Sequence, residues 1–165
     1  AAVADSNWTS SDNVILVSGE SYADAISAVV LSKKLNAPIL LTGNSSLNST
    51  TNDEISKLKA KNIYILGGDG VISQNIREQL KSENYNLIEL GGKNRYETNA
   101  AVAAELVKLG VDPSNVMMTG GSGFSDALSA APVAAAKGEI LLLGENDNND
   151  ISSVVAFVKN NNSKA

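Results

Sequence analysis

The first half of the chain contains four short apolar runs, and each of them ends in glycine. The runs are VILVSG (14–19), PILLTG (38–43), IYILGG (63–68) and LIELGG (87–92). Continuous apolar runs, as opposed to alternating ones, are typical of strands covered on both faces of a parallel sheet. The stretches between them have helical spacing and the length of crossover helices. The pattern therefore predicts strands and helices in alternation.

The second half continues this alternation. A helix is predicted from the stretch KNRYETNAAVAAELVKLG, which ends at Gly110, a natural C-terminal cap. Strands are predicted for VMMTGG (116–121) and EILLLG (139–144), with a helix from Ser125 between them and a last helix at about 150–161. The fold class is therefore α/β, with mainly parallel sheets and helices on both faces.

Pro132 lies inside the helix that follows the strand at 116–121. Proline in a helix interior costs about 3 kcal/mol. We therefore expect a kink or a late helix start at this residue.

The chain also repeats itself. The segment GESYADAISAVV (19–30), followed by PILLTG, has a counterpart in GSGFSDALSAAP (121–132), followed by EILLLG. The offset is 102 residues in the first block and falls to 101 where Pro38 aligns with Glu139, which predicts one residue lost between helix and strand. A period near 100 residues is too long for a solenoid unit, so each copy is predicted to be a small α/β domain.

The repeat predicts the domain boundaries. The first copy is expected at 1–91 without its N-terminal head, and the second at 92–165 without its C-terminal part. No signal peptide is present, so we expect a mature chain or one cut from a larger polypeptide.

Composition excludes several functions. The net charge of −5 and the pI near 4.7 argue against general nucleic-acid binding. The absence of cysteine and histidine excludes Cys or His metal cages, Ser-His-Asp triads and Cys-His pairs, so we expect no catalytic residue, metal or cofactor. No apolar run approaches the roughly 20 residues of a membrane span.

Two glycine-rich stretches, GGDGVIS (67–73) and GGSGFSDA (121–127), are similar to phosphate loops. Neither has the full G-x-G-x-x-G pattern or a Walker lysine. They are read as tight strand-to-helix turns, with an anion site at a helix N-terminus as the alternative. The acidic segment GENDNND (144–150) is read as a solvated loop, with calcium binding as the alternative.

Asp24 and Asp126 are predicted in the first turn of their helices. An acidic residue there is stabilised by the helix dipole. The functional alternative is a ligand for a metal or a sugar hydroxyl at the carboxyl end of the sheet.

The segment KNRYET (93–98) is the most concentrated polar cluster. Thr98 or Glu97 is expected to cap the helix. Arg95, with Lys93 beside it, can hold an anionic group while Tyr96 stacks on a sugar ring. The alternative is that Arg95 bridges the two copies.

The quoted motifs together resemble the cell wall binding repeat type 2 family of Gram-positive surface proteins. The resemblance implies tandem Rossmann-like copies, usually three, packed around a pseudo-threefold axis. It implies a non-catalytic module that binds an anionic secondary cell-wall polysaccharide. The chain is then expected in the cell wall, as part of a secreted surface or S-layer protein that it anchors.

The resemblance also implies site residues. The family's Ile-Leu-Leu signature, tied to polymer binding, falls on Ile39, Leu40 and Leu41 and again on Ile140, Leu141 and Leu142. By hydrophobicity alone, both runs are buried strands. The family's Arg-Tyr pair falls on Arg95 and Tyr96. Two other functions stay open: a Rossmann-like small-molecule or nucleotide-binding domain that uses the glycine turns, and a spacer whose copies contact only each other.

Overall fold

Helices and strands alternate along the chain in a computed structural model that describes residues 1–145 and 151–164. The helices are α1 (Ala2–Asn7), α2 (Tyr22–Leu35), α3 (Ser49–Lys57), α4 (Gln74–Ser82), α5 (Arg95–Lys108), α6 (Phe124–Lys137) and α7 (Ser152–Asn161). The strands are β1 (Asn13–Ser18), β2 (Ile39–Thr42), β3 (Asn62–Leu66), β4 (Asn86–Leu90), β5 (Val116–Gly120) and β6 (Ile140–Gly144).

The strands form two parallel sheets. The first has the order β2-β1-β3-β4, and the second pairs β5 with β6. Each parallel connection passes through a helix, as parallel pairing requires. The predicted Rossmann-like α/β class is confirmed.

Helices cover both faces of the four-stranded sheet. Successive side chains of a strand point to opposite faces, so apolar residues of β1 need a covering helix on each side. Val14 and Leu16 pack in one apolar cluster with residues of α3 and α4. Ile15 and Val17 pack in a second cluster with residues of α2 and α5. Double burial explains the continuous apolar runs of the central strands β1 and β3. The edge strands β2 and β4 are only partly buried.

The second cluster is shared by the two copies. It contains Ile26 of α2, Val102 of α5, Ala131 of α6 and Leu142 of β6. Helix α2 packs directly on both α5 and α6. The copies therefore have one continuous core where they meet.

The strand register corrects the alignment of the copies. Helices α2 and α6 both end in a left-handed residue, Asn36 and Gly138, which are 102 positions apart. In the sheets Ile15 pairs with Ile39 and Met117 pairs with Leu141, again at an offset of 102. The predicted loss of one residue is therefore wrong. Pro38 corresponds to Ile140, and Ile39, Leu40 and Leu41 correspond to residues 141–143.

Pro132 lies in the interior of α6, which begins at Phe124. The predicted late start is therefore wrong. Proline has no N–H group, so the helix lacks the hydrogen bond that residue 132 would donate to the carbonyl of Leu128.

Candidate functional site

A cleft of about 260 Å³ lies where the carboxyl ends of β1, β3 and β4 meet the N-termini of α2 and α5. Its charged lining residues are Asp24, Lys93 and Arg95. Asp24 comes from the first copy, whereas Lys93 and Arg95 come from the segment assigned to the second. The fold thus brings together three of the residues singled out in the sequence, at the edge where α/β proteins usually bind ligands.

The N-terminus of α5 is fixed by a dense set of hydrogen bonds. Asn94 is the cap, and its Oδ1 accepts from the backbone N–H groups of Tyr96 (3.0 Å) and Glu97 (2.9 Å). The prediction that Thr98 or Glu97 caps this helix is therefore wrong. Those side chains accept instead from the preceding loop, Glu97 from Lys93 N–H and Thr98 from Gly92 N–H.

Arg95 joins the two copies. Its Nη1 donates to Tyr22 Oη at 2.9 Å and to the carbonyl oxygen of Gly121, also at 2.9 Å. Its guanidinium carbon lies 5.4 Å from the centre of the Tyr22 ring, within range of a cation–π interaction. Tyr22 belongs to the first copy and Gly121 to the second, so Arg95 has the bridging geometry that the sequence left as an alternative.

Asp24 lies in the first turn of α2, as predicted, and its side chain is buried. Burial raises the pKa of this carboxyl above its usual value, against the hydrogen bond with the Ser21 side chain and the positive charge of Arg95, which both lower it. A buried carboxyl beside a partly exposed guanidinium is the arrangement expected of a polar binding site.

Tyr96 is buried and offers no ring face to a ligand. A Cβ atom on Gly121 would lie 2.3 Å from Tyr96 Cε1, so the ring fills the space that this glycine leaves. Stacking of a sugar ring on Tyr96 is not available in this fold.

The glycines of the turn at 67–73 and of the neighbouring turn at 91–92 serve close backbone packing. A Cβ atom on Gly91 would lie 2.7 Å from the Gly67 carbonyl oxygen, and one on Gly68 would lie 2.9 Å from that of Gly92. Gly67 also has a φ of +119°, a conformation that favours glycine. These contacts account for the glycines as turn residues and give no support to a nucleotide site.

The two Ile-Leu-Leu runs lie away from the cleft. Leu40, Ile140, Leu141 and Leu142 are buried in the core. Leu41 is exposed, and with Ile39 it lines a separate groove of about 580 Å³ beside α1. A role for these runs in binding stays a prediction.

Asp126 occupies the first turn of α6, as predicted, and is exposed outside the cleft. The acidic segment that left calcium binding open lies largely outside the described residues, which resume at 151. Within 1–145 and 151–164, no group of three or more acidic side chains is arranged to hold a metal ion.

Three residues of this junction were not singled out as binding residues from the sequence. Tyr22 and Phe124, which were noted only as matching positions of the repeat, form an edge-to-face pair with ring centres 5.2 Å apart. Asn99 of α5 is buried, donates to Leu141 O at 3.1 Å and accepts from Leu143 N–H at 2.8 Å. Its Nδ2 also donates to Ser27 Oγ on α2. An asparagine in the buried stripe of a helix was the available signal.

No helix within the described ranges has both the length and the apolar character needed to cross a membrane.

Known proteins with similar sequences were found in Bacillus subtilis (strain 168). The amidase enhancer is 39% identical over 145 residues, which is 87% of this chain and 20% of that protein. The N-acetylmuramoyl-L-alanine amidase LytC is 33% identical over 135 residues, which is 82% of this chain and 26% of that protein. The chain thus spans a minor part of the length of each relative.

Solved structures from Clostridium difficile have the same fold. Cwp8 superposes with a TM-score of 0.83 at 27% identity, covering 95% of this chain and 27% of that one. Cwp6 superposes with a TM-score of 0.81 at 31% identity, covering 89% of this chain and 23% of that one.

Two segments, residues 1–77 and 89–163, match the family described as Cell wall binding domain 2 (CWB2). Together they include nearly all of the repeat that the sequence shows. This chain therefore belongs to the Cell wall binding domain 2 family.

Proposed function

We propose that this chain is a cell-wall anchoring module that binds an anionic wall polysaccharide non-covalently and so holds a surface protein on a Gram-positive cell. Membership of a cell wall binding family supports the general function. The cleft between the copies, which contains Lys93 and Arg95, supports the choice of an anionic ligand.

The cleft provides local positive charge on an acidic protein. Lys93 is exposed and Arg95 is partly exposed. Lys93 precedes α5 and Arg95 is its first residue, so both lie at the positive end of the helix dipole. The net charge of −5 repels a polyanion at long range, but this repulsion is screened beyond about 8 Å at physiological salt. Binding therefore depends on contacts formed within the cleft.

Asp24 has a second role in this proposal. Its buried carboxyl lies in the same cleft as Arg95 and can accept hydrogen bonds from sugar hydroxyl groups. The cationic side chains can bind the acidic substituent of a saccharide, and the carboxyl group can bind its hydroxyl groups. The cleft therefore suits an acidic saccharide.

We also propose that a further repeat packs on α6, in a pseudo-threefold assembly. Ile26 of α2 is 3% exposed because α5 and α6 cover it, whereas Leu128, its equivalent on α6, is 49% exposed. Ser129 is likewise the equivalent of Ser27, which binds Asn99. The open face of α6 therefore has the apolar and polar positions that receive a neighbouring repeat elsewhere in the same chain.

The chain supplies binding and no catalysis in this proposal, and it acts at the cell surface. Any enzymatic activity of a longer polypeptide resides outside residues 1–165. The similarity covers 20% of the amidase enhancer and 26% of the amidase LytC, which is consistent with this division.

Co-sedimentation with purified walls of Bacillus subtilis tests the proposal. We expect the chain to bind intact walls and not walls stripped of their anionic polymer. Lys93→Ala should weaken binding about two- to fivefold, because an exposed ion pair contributes up to about 1 kcal/mol. The Lys93 side chain forms no hydrogen bond or ion pair recorded within the described ranges, so its loss leaves the fold intact.

Lys159→Ala is the matched control, because it removes the same charge from an exposed position on α7. Equal weakening by both variants would show that only the total charge matters and would overturn the cleft as the site. Equal binding of the parent chain to stripped and intact walls would overturn the anionic polymer as ligand. Arg95→Ala is less informative, because it also breaks the bridge between the copies.

A further inference from the structure

Two exposed aromatic rings lie beside the cleft, at the junction of the copies. Tyr22 opens α2 and Phe124 opens α6, at equivalent positions of the repeat. Their ring centres are 5.2 Å apart and their planes meet at 88°. The pair adjoins Arg95, which bonds to Tyr22 Oη.

The exposure of these rings is not explained by the packing of repeats. When the junction forms, the position four residues after the aromatic residue, on the same helix face, becomes almost completely buried, from 49% exposed at Leu128 to 3% at Ile26. The aromatic position changes little, from 48% at Phe124 to 37% at Tyr22. Tyr22 thus stays open to solvent although α5 and α6 are already packed on α2.

Tyr22 is held in place by contacts at its hydroxyl group and its ring, and Phe124 packs against it. Tyr22 Oη accepts from Arg95 Nη1 and donates to the carbonyl oxygen of Ser122 at 3.2 Å. The Arg95 guanidinium carbon lies 5.4 Å from the centre of the Tyr22 ring. The Tyr22 ring also packs edge to face with Phe124. A ring fixed in this way loses little conformational entropy when a ligand covers it.

We infer that Phe124, supported by Tyr22, is a stacking platform for a pyranose ring of the bound polysaccharide. The negative π face of an aromatic ring attracts the weakly positive C–H groups on the apolar face of a sugar. A sugar seated there presents its substituents to Arg95 and to the cleft. This inference rests on the proposed wall-polymer function and names a second subsite for the same ligand.

Substitutions at Phe124 that keep or remove the ring test the platform. Phe124→Leu keeps an apolar side chain and should weaken co-sedimentation with intact Bacillus subtilis walls about tenfold, because stacking of aromatic rings contributes up to about 1.4 kcal/mol. Phe124→Tyr keeps the ring and should bind within about twofold of the parent chain. Val155→Ala, at an exposed apolar position on α7, should bind like the parent. Thermal midpoints measured for each variant show that the fold is retained.

The outcomes separate this inference from the proposed function. Parent-like binding by Phe124→Leu, with binding still weakened by Lys93→Ala, overturns the platform and leaves the wall-binding proposal standing. Weakening by Phe124→Tyr as strong as that by Phe124→Leu also overturns the platform, because the ring would then not be the feature recognised. No binding of the parent chain to intact walls overturns both.

Discussion

At the scale of single residues, Asp24 and Asp126 show how context decides the character of one side chain. Both occupy the same position in the repeat, in the first turn of a helix. Asp24 is buried beside Arg95, whereas Asp126 is exposed. The sequence could place both residues on helices, but it could not show which one the neighbouring copy covers.

Stability should depend on pH through Asp24. Because burial raises its pKa in the folded state, the folded chain binds more protons than the unfolded chain between the ordinary and the raised value. The contribution of Asp24 to the free energy of unfolding therefore falls as the pH rises through the raised pKa. We expect Asp24→Asn to be more stable than the parent at neutral pH, by a margin that shrinks on acidification.

Urea denaturation at a series of pH values measures this effect. Asp126→Asn serves as the control at the exposed equivalent position. A margin for Asp24→Asn that stays constant with pH, or grows on acidification, would contradict the assignment.

At the scale of elements, the apolar runs predicted each strand of the described residues. Double burial explains the continuous signal of β1, β3 and β6, whose residues are nearly all buried. Strands β2, β4 and β5 are only partly buried, although their sequences are also apolar. Prediction from the sequence was wrong where a contact comes from a distant part of the chain. Tyr96 was predicted to face a ligand, yet its ring is buried in the space beside Gly121. The cap at Asn94 was missed although asparagine is among the most favoured N-cap residues, so the signal was present in the sequence.

The alignment of the strands failed for a related reason. The similarity of PILLTG to EILLLG aligns Pro38 with Glu139. The left-handed helix ends and the strand pairing instead keep a constant offset of 102 residues between the copies. Leucine repeats in both strands, so residue identity alone does not specify a register.

Helix α6 should become more stable when Pro132 is replaced. Pro132→Ala restores a main-chain donor in an exposed part of the helix, and we expect a gain of about 2 kcal/mol after allowance for the greater entropy of the unfolded chain. Chemical denaturation gives the value. Pro132 also lines a groove with Trp8 and Val29, so a loss of stability would mean that ring packing in this groove outweighs the missing hydrogen bond.

At the scale of the whole molecule, the shared core makes the two copies one structural unit. Cluster members from α2, α5, α6 and β6 are buried together. Within residues 1–145 and 151–164, the second sheet has two strands, and two strands rarely form a stable unit alone. The first copy therefore completes the core of the second.

We expect a single cooperative unfolding transition for this reason. Fluorescence of Trp8, the one tryptophan of the chain, reports on the first copy, and far-UV circular dichroism reports on all helices. Their midpoints should coincide, and the amides of β1 and β6 should exchange with similar protection. Earlier loss of protection in β6 would show that the second copy unfolds independently.

The Asn99 contact also bears on how one edge of the second sheet is protected from pairing with other molecules. Strand β6 lies at the edge of its sheet, and a bare edge is a template for pairing with other molecules. The carboxamide of Asn99 occupies one donor and one acceptor of that edge, at Leu143 and Leu141, as an added strand would. A strand added at the β6 edge would therefore have to displace the Asn99 side chain from these two backbone groups.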